Sequence, residues 1–272
     1  MRPAEVAPPP PPPAVDTSRI VNGNLSFPWS PERLSPEGQR VLDDLLRKGV
    51  NSTTAWVPMV DLGTEPALTG SVLGGPRALC RPNDPIPVCL ECKQGLKFVC
   101  QVDRGSLIHP FQGVGLVQLF VCGRCIKNPN VKPRTACWAT VVNPAIDSTL
   151  VSKDVGLIQS RPGRRVVKWL PRKDFPHPLD ANVTTSVEEC RILGEVQIRG
   201  DKIGGTPAWL RHSLRSEQLN RLKCKECDAA MRLLLTIDSA DNVPFEWGRD
   251  GCLMVFECPQ HGDQVTAIAA ST

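Results

Sequence analysis

The sequence has no tyrosine, four histidines among 272 residues, and no long uninterrupted apolar run. A helix needs about eighteen consecutive apolar residues to cross a bilayer, so no helical membrane span is expected. The chain opens on Arg2 and then prolines, without the apolar core segment of a secretory signal. A reducing cytoplasm is therefore the expected setting, where cysteine serves as a metal ligand more readily than as a disulfide. An excess of one charge is lacking too. Lysine and arginine total 32 against 28 aspartates and glutamates, and a net +4 demands neither a nucleic acid nor a membrane surface. The GxxxxGK[ST] order of a phosphate loop is absent, so Gly204 and Gly205 within Lys202–Leu210 are read as permitting a backbone bend. His109, His177 and His212 have no ligand spacing to one another, which leaves a zinc-dependent hydrolase without a motif. The missing tyrosine carries no physical consequence that we can name.

What is abundant is cysteine, with twelve residues. Seven of them, with one histidine, form paired knuckles. Cys224-x-x-Cys227 is followed by thirty residues and then Cys258-x-x-His261. Cys89-x-x-Cys92 is followed by 29 residues and then Cys122-x-x-Cys125. Two ligands separated by two residues reach one ion from a tight turn, and a structural zinc takes four ligands in a tetrahedron. A lone Cys-x-x-Cys also serves as a redox pair, but that motif belongs in a βαβ setting and needs no second knuckle. Two structural zinc ions are expected, one held by Cys89, Cys92, Cys122 and Cys125, the other by Cys224, Cys227, Cys258 and His261. Four protein ligands leave no open position for catalysis. Of the other five cysteines, Cys80, Cys100, Cys137, Cys190 and Cys252, three lie in apolar or strand-like runs and read as buried thiols.

The two stretches are copies. A shift of 135 places Cys89 on Cys224, Leu96 on Met231 and Asp103 on Asp238; one inserted residue makes the shift 136, and Gly115 then falls on Gly251, Phe120 on Phe256 and Cys125 on His261. Self-similarity of this kind marks a duplicated unit. Cys125 opposite His261 is its most informative position, because those residues resemble each other mainly as zinc ligands.

Along the chain, Pro8–Pro13 give a polyproline tail with nothing to bury. Ser35-Pro36-Glu37 opens a helix with Val41, Leu42, Leu45 and Leu46 as its apolar face and Gly49 as its stop, expected to pack on the first repeat. Strands are expected at Leu96–Val102, Gly115–Val121 and Cys137–Val142, and again at Met231–Ile237, Gly251–Phe256 and Val265–Ala270. The basic run Arg161, Arg164, Arg165, Lys168, Arg172 and Lys173 reads as a solvated strand edge. Residues 182–198 are ambiguous, and Ser213–Leu222 suggests a short helix. The fold class expected is α+β, mainly antiparallel β, with internally duplicated zinc-knuckle hairpin units and a few short helices. The expected organisation is a disordered tail over residues 1–30, a first repeat over 31–147 and a second over 148–272.

Lys202–Leu210, the Cys224/Cys227 knuckle, the leucine-rich strand ending at Asp238, and Phe245-Glu246-Trp247-Gly248-Arg249-Asp250-Gly251 together resemble the YwqG-like family, whose signature runs GG-x-P-x-(W/F), LLQID and WGD-x-G. With Cys258 and His261, the same stretch is similar to the related programmed cell death protein 2 family. The likeness covers residues 200–262 and, more faintly, 71–125, through Gly74-Gly75-Pro76 and Phe98–Asp103. Thr236 stands where the pattern often has Gln, and Arg249 separates Gly248 from Asp250, where the pattern places its acid directly after the glycine. The resemblance implies a mainly β, duplicated fold. Its programmed cell death protein 2 branch implies chaperoning of a ribosomal protein, and its YwqG-like branch toxin immunity. The functional expectation is a non-enzymatic, zinc-stabilised module with a protein partner. A nucleic-acid-associated basic protein and a zinc-dependent hydrolase are the alternatives.

Overall fold

The computed structural model describes residues 20–22, 34–61, 67–128, 130, 131, 134–156, 163–180, 185–207, 222–239, 241–243, 245, 247 and 251–270. In chain order these form β1 (Ile20–Asn22), α1 (Pro36–Arg47), β2 (Thr53–Asp61), β3 (Val72–Leu73), β4 (Arg77–Cys80), β5 (Lys97–Asp103), β6 (Leu116–Val121), β7 (Cys137–Val142), β8 (Val151–Asp154), β9 (Arg164–Asp174), α2 (Val187–Val196), β10 (Lys202–Gly204), β11 (Arg232–Asp238), β12 (Cys252–Glu257) and β13 (Val265–Ala270). The polyproline tail, the suggested helix before Leu222 and the Gly248-Arg249-Asp250 segment lie outside the described residues.

One antiparallel sheet carries the order β13-β12-β11-β10-β2-β9-β3-β5-β6-β7, with β1 added beside β2; β4 and β8 form a separate pair. The two outer strands, β13 and β7, lie against each other and nearly close the sheet on itself. The halves are interleaved through its centre. β2 from the first half pairs with β10 of the second, and β9 pairs with β3 of the first. β2 and β9 then join along their length, from Thr53 opposite Asp174 to Asp61 opposite Arg165.

The duplication is visible strand by strand. β5 and β11 share both boundaries at the 135 shift, and β6 and β12 at the 136 shift. A register irregularity falls between Phe98 and Cys100 in one copy and between Leu233 and Leu235 in the other, at equivalent positions. Both hairpins read as nearly unbroken buried runs instead of alternating ones, because each strand packs on both faces. Phe98 and Phe120 meet edge to face in the first copy, with ring centroids 5.8 Å apart.

The structure refines three sequence readings. Of the basic run, Arg164 and Arg165 pair with β3 in mid-sheet, where Arg165 meets the buried Asp61 and Arg164 reaches Asn242, whereas Lys168, Arg172 and Lys173 are exposed on the stretch that, among the described residues, pairs with β2 alone. A strand with one solvated face looks the same in sequence whether its edges are paired or not. The ambiguous segment forms α2, opened by a full capping box in which Ser186 and Glu189 bond reciprocally. The first helix is capped by Ser35 as expected, but it packs on α2, with Leu42 and Leu45 against Ile192, Leu193, Val196 and Phe175. Its Leu46 remains partly exposed.

Candidate metal centres

Each candidate centre is built from a loop before the first strand of a hairpin and a loop at the end of the second. In both copies the first knuckle folds identically. Lys93 and Asp228, the residues after the second cysteine, adopt left-handed φ of 61° and 57°. Their amides bond back to the carbonyls of Cys89 and Cys224 at 3.0 and 2.9 Å. The flanking chain is then closed by matched bridges, Val88 with Gly95 and Lys223 with Ala230. The turn brings both thiols of a knuckle to one side.

The structure gathers all eight sequence-identified residues into two groups of four. Within each group the ligand atoms lie within 4.8 Å of one another. Cys92 Sγ is 3.6 Å from Cys122 Sγ, and Cys227 Sγ is 3.6 Å from Cys258 Sγ. His261 presents Nδ1, 3.5 Å from Cys224 Sγ and 3.8 Å from Cys258 Sγ. A tetrahedral ion with metal–sulfur bonds of about 2.3 Å sets sulfurs about 3.8 Å apart, and a nitrogen bound at about 2.0 Å lies about 3.5 Å from a sulfur. The four separations lie close to those edges, and each group could hold a metal ion. The remaining thiols form no disulfide.

Backbone amides support the thiolate form. Cys125 N points at Cys122 Sγ, Glu226 N at Cys224 Sγ, and the amides of Gln260 and His261 at Cys258 Sγ, all at 3.3–3.4 Å. The Gln94 amide holds the Cys92 thiol down to about 7. Burial opposes ionisation of Cys258, yet the His261 and Gln260 amides and its neighbouring thiols bring it to about 6. Burial pushes Cys125 up to about 12, so a cation is needed before all four thiols of that group ionise.

Sequence spacing did not reveal what braces the second knuckle. Arg104, buried on the first hairpin, forms an ion pair with Glu257 at 2.9 Å and donates to the Gly262 carbonyl beside His261. Arg232 joins the same carboxylate, bonds the Pro110 carbonyl and lies over the Phe111 ring. Burial pushes Glu257 up despite both arginines. Arg104 and Gly262 are 158 residues apart, and no local motif links them. The loop between β11 and β12 adds a second buried network. Its Asn242, Val243 and Trp247 are buried, and the Asp201 carboxylate receives the amides of Asp238 and Asn242 and the Asn242 side chain. Of the spare histidines, His109 and His177 stand outside both groups, and His212 lies outside the described residues.

Fold and site together define a duplicated antiparallel β protein with two four-residue clusters able to bind metal. No protein-family model matches the sequence, and no curated protein gives a significant match. Among the described residues no helix is long and apolar enough to cross a membrane.

Proposed function

We propose that the chain is a non-enzymatic protein-binding module of the YwqG-like and programmed cell death protein 2 kind, its two hairpins pinned by structural zinc. The observation that carries this is the closed ligand set. Four side chains converge at each centre, three or four of them thiols, which suits zinc and leaves no position for a substrate. Unpaired thiols support a reducing compartment, the cytoplasm, as the setting of this reading. The resemblance supports a chaperone-like role or one in immunity, both of which work by holding another protein. The paired glycines have a physical use that fits the family pattern: Gly204 and Gly205 take φ of 66° and 72°, and a Cβ on Gly205 would overlap the Asp174 carboxylate.

The test is affinity purification of the chain at native expression level, with metal content measured on the same sample. A protein partner recovered in stoichiometric amount with the wild type, and lost with Cys224→Ala, supports the module. Co-purifying nucleic acid with a steep salt dependence, or a zinc with water in its coordination shell by X-ray absorption, contradicts it.

A further inference from the structure

The strands at the two ends of the sheet order, β7 and β13, approach each other without pairing in a ladder, so among the described residues each has a strand partner on one side only. A groove of about 360 Å³ opens on this seam, bordered by Cys224 of the second candidate centre and by Val88 and Leu90 on either side of Cys89 of the first. Three large apolar side chains stand exposed along it: Val88 and Leu90, which flank Cys89, at 51% and 58%, and Trp138 of β7 at 49%. An apolar strip concentrated in one concave place is a docking signal, unlike scattered exposed leucines.

The rim is cationic. Arg134, Lys223 and Lys225 line the groove against a single acid, Asp263. Lys223 is tied to Asp228, whereas Arg134 and Lys225 form no ion pair among the described residues. Two available cations, an apolar floor and flanking single-sided strands select the occupant. We propose that the seam groove binds an extended acidic segment of a partner protein, with acidic side chains meeting Arg134 and Lys225 and the alternate apolar ones resting on Trp138 and Leu90. Extended peptides recognise singly paired strands in this way, with side chains alternating between two environments. A second copy of this chain is disfavoured, because an isologous contact would set the same cations against themselves. Single-stranded nucleic acid is disfavoured as well, since Trp138 is the one aromatic platform among the described residues of the groove and successive bases need several. The metal centres enter as the fixtures that hold the two walls, so the inference rests on the zinc-pinned reading above.

The probe is a fluorescein-labelled octapeptide alternating Asp and Val, compared with its Lys/Val counterpart and an oligothymidine of equal length, against the zinc-loaded full chain. Fluorescence anisotropy should show saturable binding of the acidic peptide alone. Arg134→Glu combined with Lys225→Glu should weaken it about tenfold or more, and Trp138→Ala should weaken it too. Absence of acidic-peptide binding, equal binding by the variants, preference for the oligonucleotide, or a wild-type dimer that the charge reversals dissociate would each overturn the proposal. Zinc content and circular dichroism on the same samples separate a failed groove from a failed metal site. A folded two-zinc chain that ignores the peptide refutes the groove alone.

Discussion

At the scale of single residues, the account turns on which side chains are interchangeable. Cys125 and His261 occupy the same corner of equivalent clusters, so His261→Cys should keep two metal ions per chain, whereas His261→Ala should lose one. Metal quantification after gel filtration checks both. Other residues tolerate no such exchange. Lys202 is fully buried, with its ammonium on Asp174 at 2.7 Å and on the Ile198 carbonyl at 2.8 Å. The same carboxylate receives the amides of Ile198 and Thr206. Asp174→Ala therefore strands a buried cation and should cost about 3–5 kcal/mol in urea unfolding. Fellowship between Lys202 and Asp174 was not legible in the sequence, because 28 residues separate them and neither carries a motif. The knuckles were legible because tetrahedral geometry imposes a spacing on the chain that ion pairs do not.

At the scale of elements, the hairpins announced themselves and the helical layer did not. β5, β6, β11 and β12 combine apolar runs with knuckles at their ends, and their boundaries fall within a residue or so of expectation. The segment that forms α2 mixes charge and apolar residues without a clear period, and only its capping box marks it, through Ser186 and Glu189. Glu189 is also the electrostatic link between the helices. Its bond from Lys48 at the end of α1, with the Ser186 amide, brings its carboxyl down to about 2. A carboxylate with a depressed folded pKa contributes stability above its unfolded value, near 4.5, and loses it as pH falls toward about 2. Lys48 is half exposed, so screening reduces the contribution to about 1–2 kcal/mol. Glu189→Gln should cost that amount in urea unfolding at pH 7, and the difference from wild type should shrink as pH falls from about 4.5 toward 2.

At the scale of the whole molecule, duplication did not produce two separate beads. β2 of the first half lies beside the second half's β10, β9 of the second half lies beside the first half's β3, and one core runs through both copies, from Phe98 and Phe120 to Leu235 and Trp247. Repeats that exchange strands in this way share the fate of their centre, while the metal-bearing hairpins occupy the two ends of the sheet order. Chelation should therefore release hydrogen-exchange protection first in β5–β7 and β11–β13 and last in β2 and β9. The sequence repeat could be read from matched ligands and glycines. The cross-pairing could not, since β2 and β9 have no knuckle and resemble each other only as long strands. X-ray absorption at the zinc edge, with zinc quantified on the same purified and reduced protein, probes the paired centres most directly. Two zinc ions per chain, sharing seven sulfurs and one nitrogen at bond lengths of about 2.3 and 2.0 Å, is the expected result. A chain without zinc, or one whose zinc carries mainly oxygen ligands, would contradict the account.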